Sequence, residues 1–119
     1  METDFSLSDD DVDGDCLVVA VRGDLDLFTA PELKRRLTDA IEGGTTRVVV
    51  DLDEATSIDS TTLGVLIGAV KRLRLRDGDL AVVCTDATIA RTFEITGLDE
   101  VFGVLDTREE ALAQVSGAD

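Results

Sequence analysis

Three short runs of β-branched and aliphatic residues, each followed by a stretch with helical periodicity, constrain this chain more than any other feature. The runs are Cys16 to Arg22, Arg47 to Leu52 and Leu80 to Cys84, with Val48-Val49-Val50 at the centre of the second. Each is too short for an ordinary helix, and their cores are continuously apolar. They read as strands buried on both faces. Between the first two, Thr29, Pro31 and Glu32 open a helix in the manner of a capping box, and Gly43-Gly44 closes it. Leu33, Leu37, Ala40 and Ile41 form its apolar face. A second helix is predicted from Ser60 to about Arg74, with Leu63, Leu66, Ile67, Val70 and Leu73 at helical spacing. Asp86 caps a third through Ile95, closed by Gly97, and Thr107 with Glu110 opens a fourth. Val101 to Leu105 supplies a last short strand. Thr3 to Ser8 is a short edge strand, joined to Cys16 by an acidic turn from Ser8 to Asp15.

This alternation predicts an α/β fold: a mixed, mostly parallel sheet of about five strands with about four helices. Gly23 to Asp26, Asp53 to Asp59 and Asp77 to Asp79 are expected as loops, and the tail from Ser116 is expected to fray. Val18, Ala20, Val48, Val50, Leu63, Ile67, Val70, Ala81 and Val83 are the expected core. No repeat, low-complexity segment or linker interrupts residues 1–119, which read as one free-standing domain.

Charge narrows the function. Acidic residues number 26 against 11 basic, a formal net charge of −15. Nucleic acid and anionic membrane are disfavoured as partners, and a basic protein surface is favoured. Solubility in a salty cytoplasm explains the excess equally well. The chain has no His, so His-based zinc sites and Ser-His-Asp triads are excluded. No cofactor or metal is implied, and the chain is not expected to be an enzyme. Cys16 opens one strand and Cys84 closes another. In a parallel sheet they lie at opposite ends, and both are expected to stay reduced. A signal peptide and a membrane-length apolar run are absent from the sequence, so a cytoplasmic protein is expected.

Partners of such sheets gather at the carboxyl ends of the strands. The Gly23 to Phe28 loop and the segment Ile58-Asp59-Ser60-Thr61-Thr62-Leu63-Gly64 fall there. Asp59-Ser60-Thr61-Thr62 serves equally as a plain capping sequence. Ser60, Gly64 and Gly68 recur every four residues beside the apolar face. Two glycines inside a helix suggest a close approach to the backbone, either by a partner or by packing within the domain. Val65 points away from the core and adds a docking spot. Asp24 and Asp26 are placed to meet basic groups of a partner, although Asp26 serves equally as a turn cap.

These residues also carry a resemblance. Val21-Arg22-Gly23-Asp24-Leu25-Asp26 with Thr29-Ala30-Pro31-Glu32-Leu33 is similar to a loop and first helix of the STAS domain. Val48-Val49-Val50-Asp51-Leu52 with Ile58-Asp59-Ser60 is similar to its central strand and Asp-Ser phosphorylation motif. The chain resembles above all the anti-sigma-factor antagonists of bacterial stress and sporulation pathways. The resemblance implies that Ser60, with Thr61 as fallback, is phosphorylated by an anti-sigma factor that is itself a serine kinase. A serine phosphatase reverses the modification. The unphosphorylated antagonist holds the anti-sigma factor and so releases a sigma factor. The partner-binding residues are then Asp24, Asp26, Asp59, Ser60, Thr62, Gly64, Val65 and Gly68. Thr62 stands where the family often has Gly, which is expected to stiffen the first turn or narrow access to Ser60.

Two other readings share the alternation. One is a STAS-type interaction module of a stress-sensing complex that is never phosphorylated. The other is a receiver-like aspartyl phosphoacceptor, with Asp51, Asp53 and Asp59 around a divalent ion and Asp24 and Asp26 as its acidic pair. The latter also wants a basic residue after the last strand, and no Lys follows Val101 to Leu105.

Overall fold

The computed structural model describes residues 5–13 and 15–116. Five strands form one sheet in the order β1-β2-β3-β4-β5. They are β1 (Ser6–Asp13), β2 (Cys16–Leu25), β3 (Arg47–Ile58), β4 (Asp79–Val83) and β5 (Gly103–Leu105). Strand β1 runs antiparallel to β2, and the other neighbours are parallel. Helices α1 (Ala30–Glu42), α2 (Ser60–Arg74) and α3 (Ala87–Thr96) pack with one face of the sheet around Val19, Val48, Val50, Leu66 and Phe93. Helix α4 (Arg108–Val115) covers part of the other face, where Ala111 and Val115 meet Val18, Val49, Ala81 and Val83. The predicted fold class is therefore observed.

Three strands are longer than expected from the sequence, and β2 runs past Arg22 to Leu25, so Gly23 to Leu25 is strand rather than the expected loop. The acidic segment expected as a turn is most of β1, where Asp9 and Asp10 pair opposite Val19 and Val18. Its carboxylates reach outward to Arg36 at 3.1 Å and Arg108 at 3.2 Å. Charges on an edge strand discourage pairing with another chain. Thr3, Asp4 and Gly14 lie outside the described residues, as do residues 117–119 of the expected fraying tail.

Strand β3 likewise continues through the expected loop to Ile58. It pairs with β4 only from Arg47 to Asp51, but with β2 all the way to Ile58. Register shifts fall between Ala20 and Arg22 and between Gly23 and Asp24. At each, β3 holds one residue more than β2, and such bulges bend and twist a ladder. Gly23 has φ 97°, a conformation that suits glycine. The result is a two-stranded arm projecting past the rest of the sheet.

The core is close to the expected one. Val18, Val48, Val50, Leu63, Val70, Ala81 and Val83 are buried, whereas Ala20 and Ile67 are only half-buried. Ala20 lies on the face that the short α4 leaves open. The segment before β5 forms a 3-10 turn, Leu98–Glu100, so that strand begins two residues later than expected. Cys16 and Cys84 are both buried thiols.

Candidate functional site

The β2–β3 arm places Ser60. The backbone N–H of Asp59 donates to the carbonyl of Leu25 at 3.1 Å, which fixes the start of α2 against the end of β2. Asp59 is the N-cap, with extended backbone, and its Oδ1 accepts the Thr62 N–H at 3.1 Å. Ser60 is the first residue of the helix and is exposed, as is Thr61. No hydrogen bond engages the Ser60 hydroxyl among the described residues. Thr62 is fully buried, with its hydroxyl 3.4 Å from Asp59. Its side chain therefore neither faces a partner nor narrows the approach to Ser60, contrary to the sequence expectation.

The β2–α1 connection is held as firmly. Asp24 Oδ1 accepts from the Ser57 hydroxyl at 2.9 Å and from the Thr56 hydroxyl. These two bonds hold the Asp24 carboxyl below the usual aspartate range, so it remains ionised. Asp26 Oδ1 accepts the N–H groups of Phe28 at 2.9 Å and Thr29 at 3.0 Å. Asp26 thus caps its own turn. Thr29 does not form the expected capping box. Its backbone is helical rather than extended, and its hydroxyl donates to the Asp24 carbonyl at 2.6 Å. The turn presents Leu27 and Phe28 to solvent, with 84% of Phe28 exposed. Sequence reading placed both in the docking loop without seeing that they are its apolar surface.

Gly64 and Gly68 are exposed on α2, and a Cβ built on either meets nothing within 4 Å. Close packing inside the domain does not require them, although glycine costs a helix about 1 kcal/mol relative to alanine. Val65 is half-buried and packed against the core, contrary to the expectation that it points away from it.

The three aspartates of the receiver-like reading are each engaged elsewhere. Asp51, on the α4 face, accepts from Arg108 Nε at 2.6 Å and from the Asp53 N–H at 3.0 Å. Asp53 accepts the Thr85 N–H and hydroxyl, both at 3.1 Å. Asp59 caps α2. Among the described residues, no cluster of three or more His, Cys, Asp or Glu is arranged to hold a metal ion. Burial raises the Cys84 thiol above its ordinary pKa, which keeps it unreactive.

The family model for the STAS domain matches residues 9–111. The chain belongs to the STAS family. It is 38% identical over 91 residues to an anti-sigma-B factor antagonist of Staphylococcus aureus, covering 76% of this chain and 84% of that one. The crystal structure of an anti-sigma factor antagonist from Mycobacterium paratuberculosis superimposes with a TM-score of 0.84 at 26% identity, covering 94% of each chain. The Bacillus cell fate determinant SpoIIAA in its phosphorylated form shares the fold at a TM-score of 0.71 and 20% identity, over 90% of this chain and 96% of that one. No helix among the described residues is long and apolar enough to cross a membrane.

Proposed function

We propose that this chain is an anti-sigma-factor antagonist of the bacterial cytoplasm, one STAS domain over residues 1–119 that acts by binding rather than catalysis. Unphosphorylated, it holds an anti-sigma factor with serine kinase activity and so frees a sigma factor. The kinase transfers the γ-phosphoryl group of ATP to Ser60 Oγ, the hydroxyl proton is lost and ADP leaves. The complex then dissociates, and a serine phosphatase restores the hydroxyl by hydrolysis. The observation that carries this reading is the exposed, unengaged Ser60 hydroxyl at the start of α2, in a chain 38% identical to a named antagonist.

The surroundings suit both states. Asp24, Asp26 and Asp59 offer carboxylates to basic groups of the partner, and Leu27 and Phe28 offer apolar area on a hydrogen-bonded turn. Gly64, Val65 and Gly68 continue the surface along α2. A phosphoryl group adds about −1.5 to −2 charges. At the amino end of a helix that charge meets the positive end of the dipole, a gain of roughly 0.3–1 kcal/mol. The fold therefore tolerates the modification and the interface does not. A phosphoryl group is bulkier than the hydroxyl it replaces, and a partner packed closely against Ser60 must either make room for it or bury its charge at a desolvation cost.

The test is incubation with ATP and the purified anti-sigma factor kinases of the source cell, followed by intact mass and peptide mapping. Wild type should gain one phosphoryl group at Ser60 and lose affinity, while Ser60→Ala should bind and stay bound. If the mass gain survives in Ser60→Ala and disappears with Thr61→Val, Thr61 is the acceptor. A protein that binds such a kinase but is never modified is the unswitched interaction module instead.

A further inference from the structure

Gly64 and Gly68 weaken α2 without any packing need inside the domain, and both line a groove between α1 and α2. The groove has a volume of about 520 Å³, and Leu37, Ile41, Val65 and Ala69 give it apolar walls. Both helices start at the carboxyl ends of parallel strands, so they run in the same direction. The groove therefore begins at Ala30 and Thr61, next to Ser60, and ends near Arg72, whose Nη1 donates to Thr38 at 3.1 Å. From Thr61 to Arg72 it follows α2 for roughly 16 Å at about 1.5 Å per residue.

Its charge is opposite to that of the molecule. Among the described residues that line it, only Lys34 and Arg72 are charged, although the chain carries 26 acidic and 11 basic residues. Lys34 makes no ion pair among the described residues. Arg72 reaches Glu42 at 3.7 Å, an exposed contact that leaves most of its charge available. The Ser60 end is acidic, with Asp24, Asp26 and Asp59. The surface is thus acidic at the Ser60 end and basic within the groove, at Lys34 about one turn in and at Arg72 at its far end.

We infer that the groove holds a segment of the anti-sigma factor that lays an apolar side chain over Gly64 and Gly68 and offers carboxylates to Lys34 and to Arg72, while basic groups of the same partner meet the Ser60 end. This rests on the function proposed above. The glycines let the partner reach the α2 backbone, and a methyl group at either position fills the space it occupies. A second copy of this chain is a poor occupant, because two molecules of net charge −15 repel.

The test uses an effect of opposite sign on stability and on binding. Gly64→Ala and Gly68→Ala should each raise the melting temperature by about 4 °C, because helix propensity improves with nothing displaced. Each should also weaken binding of the purified anti-sigma factor about tenfold, as overpacking does in a well-fitted contact. Lys34→Glu should weaken binding at low salt, with the difference shrinking at high salt. Glycine variants that are stabilised and bind like wild type would overturn the groove assignment, whether it is then empty or takes a small apolar molecule. In that case Ser60→Asp still abolishing binding would leave the proposed function standing. Glycine variants with lowered melting temperatures would also overturn the assignment, by showing that the domain itself fills the groove. Failure of wild type to bind any anti-sigma factor refutes the function, and the groove assignment with it.

Discussion

Replacing Arg108 by Ala separates the structural role of Asp51 from a metal-binding one. Asp51 is nearly buried, its side chain 12% exposed, and it accepts from Arg108 Nε at 2.6 Å. Arg108 itself is 42% exposed and also contacts Asp10 at 3.2 Å. At an effective dielectric of 20 a charge pair at about 4 Å is worth about 4 kcal/mol. Both groups give up hydration to meet, and the exposed guanidinium is screened by solvent, so the net value is much smaller. Removing Arg108 leaves the Asp51 carboxylate short of one strong partner, although the Asp53 N–H remains at 3.0 Å. The expected loss is roughly 1–3 kcal/mol, within the range for an acceptor left unsatisfied. For a domain of this size that corresponds to a fall in melting temperature of about 4–12 °C.

Thermal and urea unfolding at neutral pH measure the loss directly. The double variant Asp51→Asn with Arg108→Ala should be less destabilised than the two single losses added together, because the partners share one interaction. Asp10→Ala should change stability by less than about 0.5 kcal/mol, since its carboxylate is 70% exposed. A ligand that binds only the native state raises its stability. Millimolar magnesium should therefore leave the melting curve unchanged. Magnesium stabilisation that disappears in Asp51→Asn, together with an Arg108→Ala variant as stable as wild type, would refute the clamp and restore the receiver-like reading.

Other outcomes follow from the same geometry. Phe28→Ser should leave unfolding within about 0.5 kcal/mol of wild type, as for an exposed side chain, yet weaken partner binding by calorimetry; equal affinities would remove the turn from the interface. The Asp24 carboxyl is held low by Thr56 and Ser57. A lowered pKa means its contribution is complete above the ordinary aspartate value and is lost as pH falls through the native one, so the Asp24→Asn effect on binding should be constant from pH 8 to about pH 5; an effect that fades near neutrality contradicts this. Val50→Asp places a charge among fully buried aliphatic residues and should abolish the cooperative unfolding transition. Cys16 and Cys84 should resist a thiol reagent until urea unfolds the chain, and prompt labelling without urea would show that their burial is incomplete.

Helix α2 was legible because its signals are local: a capping run from Asp59 and an apolar stripe at helical spacing. The middle of each core strand was legible because burial on both faces demands continuous aliphatic residues. What the sequence concealed depends on distant partners. The Asp9 and Asp10 segment reads as a turn until Arg36 and Arg108, far along the chain, are brought beside it. The arm of β3 reads as a loop because only Ala55 is buried beyond Leu52, so polar residues suffice for a ladder supported by β2 alone. The capping box at Thr29 failed for a related reason. Asp26 already satisfies the local N–H groups, and the Thr29 hydroxyl is drawn back to Asp24. In the site, Ser60 was visible as a motif, but the groove was not, because it exists only when α1 and α2 lie side by side.

The body of the sheet and its projecting arm divide structure from proposed recognition. On the α4 face, Asp51 and Arg108 join the end of the central β3–β4 pairing to α4, and the cleft beside Ala20 is walled by the Asp51–Arg108 and Arg22–Glu54 pairs and by Asp53, which is bonded to Thr85. Past the end of the sheet, the arm carries Asp24, bonded to Ser57, and the Asp59 cap, bonded to the Leu25 carbonyl, with α1 and α2 running back from it. Rigidity matters there, because a switch that acts by one phosphoryl group needs a surface that does not rearrange around it. A mobile Ser60 loop could swing the phosphate into water and keep the partner. Here the Asp59 N–H donates to the Leu25 carbonyl and the Asp59 carboxylate accepts the Thr62 N–H, which fixes the start of α2, so a phosphoryl group on Ser60 would stay at the proposed partner surface.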